Sequence, residues 1–205
     1  MGRKKVDIRS TIIQCATALF IQHGYSGVTM RMLAQECHTS LGNLYTYYES
    51  KDAIFDEVVS PILHAIDHLN RQHNLDHRVS LEAFHDINLT LAQEINKVVD
   101  EYADELELLM FSSKGSRHEN YIERFVQVQV DLSFEFLELL KEKFPDAKVD
   151  ISEAFVRLQC ESSIKLVGIM VKERIAPAER RRLMLEQTIF SMAGWKALLF
   201  DRAES

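Results

Sequence analysis

Apolar residues recur at three- and four-residue steps along almost the whole chain, and that spacing commits it to helices. In "VDIRSTIIQCATALFIQHG", Ile8, Ile12, Cys15, Ala16, Leu19 and Phe20 fall on one stripe of a 3.6-residue period. Turns need glycine and proline, yet 205 residues hold only 7 and 3 of them, which excludes a loop-rich or all-β chain. The fold class is therefore all-α. With 46% hydrophobic and 27% charged residues, the chain has the balance of a folded globular protein.

Punctuation along the stripes divides the chain. Gly24 stands where a first helix needs a left-handed stop. Thr29 can cap a short second helix, which turns Met32, Leu33 and Cys37 inward and ends near His38. Thr39 or Ser40 can cap a third helix, running to about Tyr48. Ser50 restarts the chain into a fourth helix reaching about Asn70, which Pro61 is expected to kink or interrupt. After the polar connection "NLDHRVS", amphipathic stretches follow at about 80–98, 101–113, 118–143, 152–173 and 177–200, with Pro177 suited to a first helical turn. The expected boundary lies near residue 51, giving a small domain over 1–51 and a larger one over 52–205.

Charge follows the same division. The chain carries −7 overall, but residues 1–51 hold six basic side chains (Arg3, Lys4, Lys5, Arg9, Arg31, Lys51) against three acidic ones (Asp7, Glu36, Glu49). The remaining 18 basic and 28 acidic residues make the rest strongly acidic. A basic head on an acidic body can meet a polyanion head first. Cys15, Cys37 and Cys160 form no Cys-x-x-Cys pair and suit a reduced, cytoplasmic protein. No apolar run approaches the ~18–20 residues of a membrane span, and no secretory h-region follows the basic start.

Two short helices joined by a tight turn form a helix-turn-helix pattern, whose second helix must be polar outside to enter a major groove. The stretch "ATALFIQHGYSGVTMRMLAQECHTSLGNLYTYYESKDAIF" is more specific. Its Leu19-Phe20, Gly24, Thr29, Leu33-Ala34, Ser40-x-Gly42, Leu44-Tyr45, Tyr48, Lys51 and Ile54-Phe55 stand in the order and spacing of one family. The segment from Arg9 to Phe55 resembles the DNA-binding region of the TetR (tetracycline-repressor-like) transcriptional regulators. One departure is the turn, where Cys37-His38 replaces the usual Ala-Gly.

The resemblance implies a homodimeric regulator of double-stranded DNA, most often a repressor, released by a small-molecule effector, with no cofactor. It places Thr39, Ser40, Leu41, Gly42, Asn43, Tyr45, Thr46 and Tyr47 on or beside the recognition helix. Tyrosine hydroxyls, Lys51 and the Thr29 helix end suit phosphate oxygens. Arg31 is the candidate for guanine, Asn43 for adenine and Leu41 for a thymine methyl, while Gly42 allows close backbone approach. Leu44 and Tyr48 should face inward. Arg3, Lys4 and Lys5 form either an arm toward DNA or a solvated terminus.

For the body, apolar bulk with polar handles nominates Phe84, Met110, Phe111, Tyr121, Phe125, Gln129, Phe155 and Gln159 as lining a pocket for a hydrophobic effector. Small residues among large ones on the last two helices nominate Leu166, Gly168, Met170, Ile189, Ala193 and Trp195 for a dimer interface. His64 and His68 share a helix face but lack a third metal ligand, and Cys37 sits in an apolar slot, the position of an inert thiol. Arg180, Arg181 and Arg182 read as a solvated face. No nucleophile–base set or phosphate loop supports an enzyme. A body that binds a protein partner is the other alternative.

Overall fold

The computed structural model describes residues 8–72 and 81–200, with the backbone alone described at 72 and 81–88. The described residues form helices and connections, without a strand: α1 (Ile8–Gly27), α2 (Met30–Glu36), α3 (Leu41–Tyr47), α4 (Lys51–Gln72), α5 (Leu81–Glu101), α6 (Ala103–Glu107), a π-helical turn (Leu108–Ser112), α7 (Tyr121–Lys143), α8 (Glu153–Lys172) and α9 (Pro177–Leu199). No described helix is long and apolar enough to cross a membrane.

The helices start and stop where local chemistry directs. Thr29, Ser40 and Ser152 each accept a backbone N–H at the start of α2, α3 and α8. Pro177 occupies the first turn of α9, as expected. Gly24 breaks α1 with φ 68°. Pro61, in contrast, does not interrupt α4. The carbonyl it leaves without a partner belongs to Glu57, and both residues are exposed, so water can take the place of the missing N–H.

The chain divides into two compact units, one running to Ala65 and taking in Tyr102–Ile122, the other comprising Ile66–Glu101 and Glu123 onward. The expected boundary near residue 51 thus differs from this division in two ways: the first two-thirds of α4 belongs to the head, and so does a segment some forty residues downstream. In this head unit α1 packs against α2, α6 and the π-turn. Its core joins Ile12, Ala16, Phe20, Leu33, Leu44, Phe55 and Val58 to Leu108 and Leu109, all buried. Phe20, Tyr25 and Phe55 meet ring to ring, at centroid separations of 5.0–6.0 Å. Polar contacts pin the returning segment: Ser26 donates to the Lys114 carbonyl, and His118 Nε2 lies 2.8 Å from Asp56. Gly115 takes φ 88°, a conformation that favours glycine, and a Cβ there would lie 2.7 Å from Ser26 Oγ and displace it.

In the body unit α5 packs along α9 and touches α8. One core joins Val126, Val130, Leu137 and Leu140 of α7 to Ile151, Val156 and Leu199, with Phe155 edge-on to Trp195 at 5.7 Å. A smaller core joins Ala92, Met170 and Met184. The arginine run is not uniformly solvated. Arg180 is buried, pairs with Asp100 and donates to the Ile175 carbonyl at 2.6 Å, while Arg181 and Arg182 are exposed. Buried charge demands such partners, and α5 supplies one.

Candidate nucleic-acid interface

The turn between α2 and α3 decides how the head presents α3. Its geometry is a complete Schellman motif: Thr39 N–H donates to the Ala34 carbonyl at 2.9 Å and His38 N–H to that of Gln35 at 3.1 Å. The position beyond the helix cap must then be left-handed, and His38 takes φ 50° there. The family-unlike Cys37-His38 pair therefore keeps the tight turn, at the strain of a side chain where glycine is preferred.

From that turn α3 leaves with Ser40 Oγ accepting Asn43 N–H at 3.1 Å. Leu44 and Tyr48 are buried, as expected, and hold the helix on the core. Gly42, Asn43, Tyr45 and Thr46 are exposed, and Leu41 and Tyr47 are partly so. Asn43 Nδ2 donates to Thr39 Oγ1 at 2.7 Å, leaving one amide proton and the carbonyl oxygen for a base edge. Thr46 spends its hydroxyl proton on the Gly42 carbonyl at 3.2 Å and retains acceptor capacity. On α2, Arg31 is exposed, and Thr29 both caps the helix and faces solvent. Gln35 is exposed one turn after Arg31; the i, i+4 spacing was the signal for it in the sequence, though it was not among the expected contacts.

Lys51 is placed differently from a free phosphate ligand. Its Nζ donates to the carbonyls of Tyr25 at 2.7 Å and Val28 at 2.9 Å, and lies 3.9 Å from the centroid of the Tyr25 ring. Two of its three donors thus close the α1–α2 connection and one is left over. Burial lowers its pKa, partly opposed by the Asp52 charge. Tyr25 in turn donates to Asp52 Oδ1 at 2.7 Å, and burial, then that bond, raises its pKa. Burial and a neighbouring Cys15 push the Cys37 thiol up to about 12, so it is protonated and unreactive at neutral pH. Arg3, Lys4 and Lys5 lie outside the described residues.

The candidate pocket residues are divided between the units. Met110, Phe111 and Tyr121 belong to the head unit and Phe125, Gln129, Phe155 and Gln159 to the body unit, while the side chain of Phe84 lies outside the description. Gln129 donates to Asn70 at 3.3 Å, and Phe155 packs on the α7 core. Of the candidate interface residues, Gly168 and Met170 are buried within the subunit and Leu166 packs beside them. Trp195 is engaged by Phe155, whereas Ile189 and Ala193 are exposed. Among the described residues no group of three or more His, Cys, Asp or Glu could hold a metal ion.

Residues 12–58 match the family model of the bacterial regulatory proteins, tetR family. An uncharacterized HTH-type transcriptional regulator, YhgD of Bacillus subtilis, is 33% identical over 58 residues, 28% of this chain and 30% of its own length. The chain thus matches less than a third of that relative. Over nearly the full chain the fold is that of SCO3833, a TetR-family regulator from Streptomyces coelicolor (TM-score 0.62, 15% identity, 99% and 94% coverage). It is likewise that of the ketosteroid transcriptional regulator KstR2 of Mycobacterium tuberculosis (TM-score 0.65, 15% identity, 93% and 96% coverage). A similar match is the fatty acid degradation regulator FadR of Bacillus halodurans (TM-score 0.60, 13% identity, 92% and 96% coverage). Residues 12–58 thus form a helix-turn-helix segment of the kind found in the tetR family of bacterial regulatory proteins, and the described residues around it share the all-helical architecture of these solved structures.

Proposed function

We propose that the protein is a sequence-specific DNA-binding transcriptional regulator, a repressor that binds a palindromic operator as a homodimer and is released by a small hydrophobic effector. The observation that carries the reading is the outer face of α3. Asn43, Tyr45 and Thr46 are held outward by two caps and a Schellman turn while Leu44 and Tyr48 anchor the helix beneath them. A short rigid polar helix of this kind has the dimensions of a major-groove reader. Arg31, Gln35 and Asn43 offer the base-reading groups, and Thr29, Tyr45, Tyr47 and the spare donor of Lys51 offer contacts to phosphate.

One short helix reads few bases, so two copies at successive grooves, ~34–36 Å apart, double the site. The exposed apolar side chains of α8 and α9 support pairing through those helices: Leu158 and Ile169 on one, Ile189 and Phe190 on the other. Ile189 and Ala193 stay in the interface so proposed, Phe190 joins them, and Met170 and Gly168 serve the subunit interior instead. Regulation follows by linkage. An effector that prefers a conformation with mismatched recognition helices weakens DNA binding by the same factor that DNA weakens effector binding. An apolar effector agrees with the names of two structural neighbours, regulators of ketosteroid and fatty-acid metabolism.

Selection of bound sequences from random duplex DNA tests the reading. An enriched inverted repeat, bound less tightly as salt rises, is expected. Recovery of no enriched repeat overturns it.

A further inference from the structure

We propose that the groove between α5 and α9 is a binding site for an amphipathic hydroxy acid, an apolar body carrying a hydroxyl and a terminal carboxylate. The site deepens the effector reading of the body unit, on which its regulatory meaning rests.

The groove encloses about 500 Å³, inside the range of small-molecule sites, ~300–1,000 Å³. Leu89 and Ala92 of α5 face Met184 and Leu185 of α9 across it, an apolar lining that favours a hydrocarbon body. Charge along the lining is unequal. Asp100 is neutralised by Arg180, and Lys97 pairs with Glu94. Arg181 lines the groove, is exposed and makes no ion pair or hydrogen bond among the described residues. A free guanidinium at the edge of an apolar groove selects an anion, and its forked donors match a carboxylate.

A second observation is independent of that charge. Asn96 also lines the groove, is only 9% exposed, and its Nδ2 donates to the Ala92 carbonyl at 2.9 Å. Its Oδ1 is buried and has no hydrogen-bond partner. A buried amide oxygen without a donor is an unmet demand, and a ligand hydroxyl meets it. The three requirements together describe one molecule: hydrocarbon against Leu89, Ala92, Met184 and Leu185, a hydroxyl toward Asn96, and a carboxylate toward Arg181. None of these side chains belongs to the aromatic set that the sequence nominated, and the groove is confined to the body unit.

The test is titration calorimetry on the full chain with three probes: 3-hydroxydecanoate, decanoate and 1,3-decanediol. Saturable binding is expected in the order hydroxy acid, plain acid, diol. Arg181→Ala, at an exposed site, should leave the melting temperature unchanged. It should weaken the hydroxy acid about tenfold, the effect of one charge-assisted hydrogen bond, and leave the diol unaffected. No saturable binding of the hydroxy acid overturns the site. Equal affinity for the hydroxy acid and the diol overturns the role of Arg181, and equal affinity for the two acids overturns that of Asn96. A parallel operator-binding assay separates the two readings. Binding without release of DNA keeps the site and removes the effector role; release by another compound, without hydroxy-acid binding, does the reverse.

Discussion

At the residue scale, two positions in the reading head trade stability against geometry. His38 holds φ 50° because the Schellman turn requires a left-handed residue there, and a side chain makes that conformation costly. Glycine removes the clash but adds freedom to the unfolded chain, so the two effects partly cancel. His38→Gly should stabilise the head by about 0.5–1 kcal/mol in denaturant titration, with α3 presented as before. Gly42 is the opposite case. Nothing lies within 4 Å of where its Cβ would stand, so no contact inside the subunit requires glycine. As the second residue of α3 it costs roughly 0.5 kcal/mol against alanine, the low end of the helix-interior range. Gly42→Ala should therefore stabilise the free protein by about that amount and weaken operator binding, read by fluorescence anisotropy. Stabilisation with unchanged DNA affinity would show that α3 approaches DNA less closely than proposed.

At the element scale, the connection from α1 to α2 is held by a residue of α4. Lys51 gives two donors to the carbonyls of Tyr25 and Val28 at the end of α1, the first of which also accepts the Val28 N–H at 3.3 Å. Lys51→Ala should lower stability by about 1.5–3 kcal/mol, the range for hydrogen bonds from a charged donor. It should also weaken DNA binding at every sequence alike, since the α2–α3 pair loses its brace. Lys51→Arg, with a longer, forked head, should restore little of either. The same cluster sets an alkaline limit. Tyr25 has its pKa raised by burial and by its bond to Asp52, and Cys37 by burial. The unfolded chain loses those protons first, so this stability is whole below about pH 8.5 and declines as pH rises above it. Denaturant midpoints measured from pH 8 to 11 should fall, and the fall should be shallower in Tyr25→Phe.

At the scale of the whole molecule, the proposed dimer pairs through the apolar face of α8 and α9. Phe190 is 74% exposed, more than any other large hydrophobic residue described, and Ile189 beside it is 59% exposed. In the proposed dimer a Phe190→Glu substitution would bring like charges into the shared interface and should give a monomer in analytical ultracentrifugation. Its operator affinity should fall by orders of magnitude, while its far-UV circular dichroism should stay that of the parent. A dimer that survives the substitution would move the interface elsewhere.

The all-helical class, the nearly complete helix list and the helix-turn-helix were legible in the sequence, because each rests on local rules. A 3.6-residue stripe, a Thr or Ser cap and Pro177 in a first turn act within a few residues of themselves. The inward placing of Leu44 and Tyr48 came with the family resemblance, which also put Asn43 and Tyr45 on or beside the recognition helix. What the sequence left open depends on residues far apart in the chain. Lys51 meets Tyr25 and Val28, Asp56 meets His118, and Asp100 takes Arg180 out of a run that reads as surface. Met170 and Ile189 are equally apolar on the page, yet one fills a core and the other faces solvent. Side-chain chemistry sets what an interaction is worth, but only the packed fold decides which distant partner is within reach.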